Sequence, residues 1–174
     1  MPSPPRPGDP RDAPSTPCLR PIEASDDPAM AAIIRRVMTE FGAVGPGYSI
    51  EDPEVDGMHA AYAGERSAYF VVESSGVLLG GAGIAPLLGA APGICELRKM
   101  YVLSEGRGLG LGKRLMLGCL EAARERGYRL CYLESLEHMQ AARGLYRAFG
   151  FQDRAGPLGA SGHDACNTWM TLEL

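Results

Sequence analysis

The chain has 174 residues, of which 45% are hydrophobic, and a formal net charge of −4 at pH 7. This length suits one globular domain with a sizeable core. The mild negative charge argues against a general binder of nucleic acid or of anionic membranes, so we expect neither partner.

The first 17 residues differ from the rest because they contain seven of the 14 prolines and Met1 as their one large apolar side chain. Such a segment buries too little surface to offset the entropy of ordering it. We therefore predict a disordered, proline-rich leader over residues 1–17 and a folded domain over residues 18–174. The leader lacks the apolar run of a secretory signal, and we expect a cytoplasmic protein.

Apolar periodicity and turn residues predict a mixed α/β domain with the order β-α-α-β-β-β-α-β-α-β-β. The predicted bounds are a strand over 19–22, a helix that starts within Ser25-Asp26-Asp27-Pro28 and that Gly42 ends, and a helix over 52–62. Strands follow over 68–73, 77–85 and 94–103, then a helix to about 126, a strand over 128–134, a helix that Gly150 ends and a strand over 165–174. Residues 74–95 carry no charge, but their six glycines and two prolines favour a turn, a buried strand and a loop over a membrane helix.

The five cysteines and three histidines are scattered along the chain. No pair of cysteines has the close spacing of a zinc or redox motif, and no two histidines lie three or four residues apart. We therefore predict reduced thiols and no metal site.

A glycine-rich turn from Arg107 to Lys113 joins a predicted strand to a predicted helix. Its glycines allow close backbone approach, and free N–H groups at a helix N-terminus favour a phosphate. The turn is not a P-loop, because Arg107 and Arg114 stand where that motif has Gly and Ser or Thr. It also lacks the glycine spacing of the dinucleotide-binding fingerprint in every register.

The turn does contain R-x-x-G-x-G, formed by Arg107, Gly110 and Gly112, directly after a strand that carries Glu96. A second run, Ala142 to Phe151, reads A-x-x-L-Y-x-x-x-G-F. With both motifs in this order, the sequence from about residue 18 to 174 resembles the GNAT superfamily of acyl-CoA-dependent N-acetyltransferases. The resemblance implies a central mixed, mostly antiparallel sheet with helices on both faces, in which the strands near 95–102 and 128–134 splay apart.

The resemblance also implies acetyl-CoA as the cosubstrate, with its pyrophosphate on the glycine turn and its pantetheine arm along the preceding strand. The implied cofactor-binding residues are Met100, Tyr101, Val102, Arg107, Gly108, Leu109, Gly110, Leu111, Gly112 and Lys113. One position departs from the family pattern, because Met139 stands where relatives often have an asparagine that touches the cofactor arm.

By the same resemblance, Tyr146 is the general acid for the departing thiolate, and the backbone N–H near Met100 is the oxyanion donor. Two carboxylates remain candidates for the base that deprotonates the amine, Glu96 and Glu134. Strand alternation predicts Glu96, Arg98 and Met100 on one face, and Leu97, Lys99 and Tyr101 on the other.

Two features give opposing expectations for the acceptor. The guanidinium of Arg98 would suit a carboxylate. The acidic residues between Glu51 and Asp56 would instead attract a cationic amine. The sequence therefore predicts acetyl transfer to a primary amine of a small molecule, with an amino acid as one candidate. A protein or peptide acceptor, a non-catalytic acyl-CoA sensor and a homodimer stay open.

Overall fold

A twisted sheet of seven strands with helices on both faces forms the part of the chain that the computed structural model describes, residues 16–174. Its elements are β1 Cys18–Pro21, α1 Asp27–Glu40, α2 Met58–Ala61, β2 Ala68–Ser74, β3 Val77–Pro86, β4 Ile94–Val102, α3 Leu111–Glu125, β5 Leu130–Ser135, α4 Gln140–Ala148, β6 Gln152–Arg154 and β7 Thr168–Glu173. The predicted leader, apart from residues 16 and 17, lies outside the described residues.

The strands lie in the order β1-β2-β3-β4-β5-β7-β6. Only β4 and β5 run parallel, and the other described neighbours are antiparallel. The pairing of β4 with β5 ends at Glu96 and Tyr132, although β4 continues to Val102. The mixed, mostly antiparallel sheet and its β4–β5 splay are thus confirmed.

The sheet separates two hydrophobic cores. One core holds the apolar face of α3, including Leu115 and Met116, together with Tyr146 of α4. The other holds α1, including Met30 and Ile34, and the short α2. Because each long helix buries one apolar stripe against its side of the sheet, the prediction of helices on both faces is confirmed.

The helix predicted over residues 52–62 is wrong in its extent. Residues Pro53–Asp56 form a 3₁₀ turn, and α2 covers only Met58–Ala61. Gly57 separates them with φ −147° and ψ 50°, outside the helical region, and glycine has little tendency to continue a helix. The final strand also begins at Thr168, three residues later than predicted.

Residues 74–95 form the turn, buried strand and loop that their glycines predicted. Ser75 and Gly76 have φ of 52° and 76°, as a two-residue hairpin turn between β2 and β3 requires. No helix within residues 16–174 is both long and apolar enough to cross a membrane.

A β-bulge interrupts the alternation of β4. Arg98 pairs with Gly83 and Tyr101 pairs with Gly81, so Lys99 and Met100 together face the single residue Ala82. Lys99 takes the left-handed φ of 52°. The predicted alternation through Met100 and Tyr101 is therefore wrong.

The bulge exchanges the two faces of β4 from Met100 onward, since one extra residue shifts the strand period by one. Met100 packs in the α3 core with Leu97, whereas Tyr101 packs in the α1 core. Glu96 and Arg98, which precede the bulge, therefore share a side of the sheet with Tyr101.

Glycines on β3 make room for the side chain that holds the bulge. The Tyr69 hydroxyl donates a hydrogen bond of 2.7 Å to the Lys99 carbonyl oxygen. A Cβ added at Gly81 would lie 2.6 Å from Tyr69 Cε1, and one at Gly83 would lie 2.4 Å from Tyr69 Cδ2. The ring of Tyr69 thus crosses β3 only because these two positions have no side chain.

We predict that Gly83→Ala lowers the free energy of unfolding by about 2 kcal/mol or more, because the new methyl group overlaps Tyr69 and the Ala68 carbonyl oxygen. Denaturant unfolding measures this loss. The matched control is Gly144→Ala on the exposed side of α4, where a Cβ meets nothing within 4 Å and helix propensity favours alanine by about 1 kcal/mol. Equal effects of the two substitutions would contradict the packing argument.

Candidate active site

Two cavities adjoin at the β4–β5 splay. The inner cavity is lined by Glu96, Arg98, Glu134, His163 and Cys166, among others. The glycine-loop cleft is lined by β4 residue Val102, the turn from Gly106 to Lys113 and α4. The residues that line both are Phe41, Met100, Tyr101, Met139 and Tyr146. Tyr146 therefore stands where the two cavities meet.

The glycine-loop cleft ends at the N-terminus of α3. Gly108 and Gly110 have φ of 78° and 75°, and Gly110 is the residue that caps the helix. The N–H groups of the first helical turn have no partner inside the helix and, with the helix dipole, attract an anion. The predicted cofactor residues all line the cleft except Leu109, which is 60% exposed.

The side chain of Arg107 lies against α1. Its Nη2 is 2.8 Å from Glu40 Oε2, and its Nε donates to the Val102 carbonyl oxygen at 3.1 Å. The Glu40 carboxylate, whose pKa this hydrogen bond lowers, thereby ties the glycine turn to the helix. The guanidinium is engaged within the protein, so the anion-binding groups of the cleft are backbone amides and Lys113.

The two candidate carboxylates of the inner cavity have different surroundings. Glu96 is 2% exposed, and burial raises its pKa. Its ion-pair partner, Arg98, lies 3.9 Å away between Nη1 and Oε2, too far for a hydrogen bond. Glu134 is half-buried, and its Oε1 accepts hydrogen bonds from Tyr132 Oη at 2.6 Å and Ser161 Oγ at 2.8 Å.

Arg98 has donors that no group in the described structure uses. Its guanidinium carbon lies 5.5 Å from the centre of the Tyr62 ring, which orients the group by a cation–π contact. Its buried Nε has no hydrogen-bond partner among residues 16–174. The inner cavity thus contains a positive group that can hold a ligand oxygen.

Lys99, Asp52 and His163 form a buried network that the sequence analysis missed. The ammonium of Lys99, at the bulge, contacts Asp52 and lies 2.9 Å from Glu54 Oε1. Asp52 Oδ2 also accepts a hydrogen bond from His163 Nε2 at 2.9 Å. Burial alone would raise the pKa of Asp52, but the hydrogen bonds from His163 and Lys99 outweigh it and lower that pKa.

This network removes one of the two opposing expectations for the acceptor. Lys99 pairs with both Asp52 and Glu54, and Arg35 pairs with Asp56 at 2.8 Å. These three acidic residues are therefore held in ion pairs, and none of them lines the inner cavity. One signal in the sequence could have found the network, namely a lysine in the interior of a strand, where a charged side chain needs a partner.

Tyr146 is 7% exposed, and burial raises the pKa of its hydroxyl to about 12. The hydroxyl is consequently protonated at any working pH and can donate a hydrogen bond into either cavity. Helix α4 places it there because its apolar face packs on the sheet, with the Phe151 ring centre 6.1 Å from that of Tyr146.

Comparison with known proteins decides the family. Residues 31–151 match the acetyltransferase (GNAT) family. The chain belongs to this family. It is 43% identical over 163 residues to the uncharacterised N-acetyltransferase YjgM of Escherichia coli, covering 93% of this chain and 98% of that protein.

Solved structures of GNAT acetyltransferases share the fold. A Staphylococcus aureus Mu50 acetyltransferase superposes with a TM-score of 0.80 at 16% identity, covering 91% of this chain and 99% of that one. A Salmonella typhimurium acetyltransferase, solved with its cofactor acetyl-CoA, gives 0.73 at 21% identity, with 91% and 94% covered. The chain is accordingly a GNAT-type N-acetyltransferase.

We predict that Lys99→Met destabilises this acetyltransferase by about 3 kcal/mol, because it leaves Asp52 and Glu54 without their buried cation. Thermal or denaturant unfolding measures the loss. The matched control is Arg35→Met, which removes the cation of the exposed pair with Asp56 and should change stability little. A loss from Lys99→Met no larger than that from the control would contradict a stabilising network.

Proposed function

We propose that this enzyme transfers the acetyl group of acetyl-CoA directly to the primary amine of a small molecule that also carries a carboxylate, such as an amino acid. The observation that carries the proposal is the position of Tyr146 between an anion-binding cleft and a cavity that contains Glu96, Glu134 and Arg98.

The cosubstrate assignment follows from the glycine-loop cleft. Phosphate groups of CoA would lie on the backbone amides of the turn and the first turn of α3. The pantetheine arm would then run along Met100–Val102, where β5 has separated from β4 and leaves that edge unpaired by β5. Solved family structures that contain acetyl-CoA or CoA, among them a Thermoplasma acidophilum N-acetyltransferase with CoA, support this assignment.

The acceptor assignment follows from the charges of the inner cavity. A carboxylate would bind the free donors of Arg98, because a guanidinium matches its two oxygens. The ammonium group would lie near Glu134, since the two hydroxyls that fix Oε1 leave Oε2 available. The acceptor would therefore bind with its carboxylate at Arg98 and its ammonium group at Glu134 of the same cavity.

Glu96 is the base that this arrangement favours. The ammonium group of an amino acid is largely protonated at neutral pH and must lose a proton before its nitrogen can attack. Burial raises the pKa of the Glu96 carboxyl toward neutrality, which makes its anion a better proton acceptor than an exposed carboxylate. Glu134, bonded by two hydroxyls, serves to attract the amine.

During acetyl transfer, negative charge develops first on the thioester carbonyl oxygen and then on the departing sulfur. The freed amine attacks the thioester carbonyl carbon, and the backbone N–H near Met100 donates to the oxyanion. The tetrahedral intermediate collapses with cleavage of the C–S bond, the nitrogen loses its second proton to the departing sulfur, and the Tyr146 hydroxyl donates a hydrogen bond to that sulfur. Because a pKa of about 12 exceeds that of a thiol, this donation stabilises the thiolate chiefly as a hydrogen bond.

Direct attack is favoured by the state of the cysteine nearest the reaction centre. Cys166 lines the inner cavity, and burial raises its pKa to about 12, so its thiol stays protonated and weakly nucleophilic. The five cysteines are all free, which fits the reducing cytoplasm, where we place the reaction.

We predict that Tyr146→Phe and Glu96→Gln each lower kcat about 100-fold with little change in the KM for acetyl-CoA. Steady-state thiol release with a responsive amine measures both constants. In the wild type, kcat/KM should rise with pH as Glu96 loses its proton, and Glu96→Gln should abolish that limb of the profile. Full activity in both variants would contradict the assigned chemistry.

The acceptor class is tested with a panel of amino acids beside their carboxamides, each incubated with acetyl-CoA. We predict that the wild type prefers the acids, and that Arg98→Ala raises their KM at least tenfold while leaving the carboxamides unchanged. Arg124→Ala, on the exposed side of α3, is the control. If peptides or proteins are acetylated and the amino acids are not, the small-molecule proposal is wrong.

A further inference from the structure

His163 lies at the boundary between the reaction centre and a second opening. This opening, which we call the outer pocket, is formed by the loop between β6 and β7, including Gly159 to Asp164, and by Trp169 of β7. Three residues line both the inner cavity and the outer pocket, namely Glu134, His163 and Cys166. They form the wall between the inner cavity and the outer pocket.

The proposed chemistry leaves a proton inside the protein at each turnover. Glu96, the group that takes the proton from the amine, has only 3% of its side chain exposed. A buried carboxyl that stays protonated cannot act in the next cycle, so its proton must reach solvent. Tyr146, with a pKa of about 12, does not accept a proton at neutral pH.

Of the three residues at the wall, His163 is best suited to bind and release that proton. The Cys166 thiol, whose pKa burial raises to about 12, is already protonated. Glu134 Oε1 is already engaged by the hydroxyls of Tyr132 and Ser161. An imidazole exchanges protons near neutral pH, and its two nitrogens allow one to stay bonded while the other reacts.

We propose that His163, oriented by its Nε2 hydrogen bond to Asp52, relays the acceptor's proton from Glu96 to solvent through the outer pocket. The proton leaves the ammonium nitrogen for the Glu96 carboxylate, passes to the imidazole and then leaves the imidazolium for water. Each group ends in its starting state, and no other reactant is needed. This relay rests on the proposed function, because it gives the proton that Glu96 takes from the amine a route to solvent.

The charges around His163 support this exchange. Asp52 accepts its hydrogen bond and raises the pKa of the imidazole, while burial and the nearby Lys99 ammonium oppose that rise and Glu96 adds to it. Glu134, Arg98 and Cys166 share the inner cavity with it, and Asp164 lies on the outer-pocket side. Asp52 is itself fixed by Lys99, so the bulge of β4 determines where the imidazole stands.

The decisive variant is His163→Gln, whose amide nitrogen can keep the bond to Asp52 but cannot carry the proton. We predict that kcat falls about tenfold at pH 7 with the KM for acetyl-CoA unchanged. We also predict that added imidazole buffer at fixed pH and ionic strength raises the turnover of the variant and leaves that of the wild type unchanged. A role limited to structure would predict neither the kcat-specific loss nor the rescue.

The control variant is His59→Gln, an exposed imidazole remote from the inner cavity, which should behave as the wild type. If His163→Gln keeps the wild-type kcat and pH profile, the relay is wrong even though the proposed function stands. If the wild type acetylates no amine in the panel, the proposed function fails instead.

A second measurement decides the inference without turnover. NMR titration of the His163 imidazole in the full chain should give a pKa above the ordinary value of about 6.5. The pKa should fall in Asp52→Asn, which loses the charged partner of the imidazole. It should also change in Glu96→Gln, because the relay requires the two groups to interact within one cavity. An imidazole that does not respond to Glu96→Gln overturns the relay.

Discussion

The carbonyl oxygen of Lys99, held by the Tyr69 hydroxyl, fixes the bulge on which the arrangement of both cavities depends. Glu96 and Arg98 precede the extra residue and face the inner cavity. Because the extra residue exchanges the faces of β4 after it, Met100 and Val102 pack toward α3. The same bulge sends the Lys99 ammonium to Asp52 and Glu54. A strand without the extra residue would place Arg98 and Tyr101 on opposite sides of the sheet.

Burial gives similar side chains different roles around this strand. Glu96 and Glu134 are both glutamates, yet Glu96 is enclosed and lies 3.9 Å from its ion-pair partner, whereas Glu134 accepts hydrogen bonds from two hydroxyls. Burial also keeps Tyr146 and Cys166 protonated. The inner cavity therefore combines one carboxyl whose pKa burial raises, one that two hydroxyls hold in place, and a guanidinium whose Nε has no partner among residues 16–174.

Local patterns predicted the elements and the family because their signals lie close together in the chain. Each signal is local: apolar residues alternate within one strand, a glycine ends one helix, and each of the two motifs covers at most about ten residues. The fold that these signals indicate is confirmed. The β4 bulge was not predictable in this way, because it depends on Tyr69 crossing Gly81 and Gly83 on another strand. The contact of His163 with Asp52 joins residues 111 positions apart, and no periodic pattern in the sequence predicts a contact over such a separation.

The bulge also divides β4 into two stretches that can change separately. Positions 96 and 98 precede it and face the inner cavity, whereas the backbone of 100–102 follows it beside the glycine-loop cleft. Under the proposed function, substitutions at the first two positions would alter the chemistry offered to an acceptor without moving the strand edge that follows. Such a strand would let related enzymes differ in their acceptors while they retain the same acyl donor.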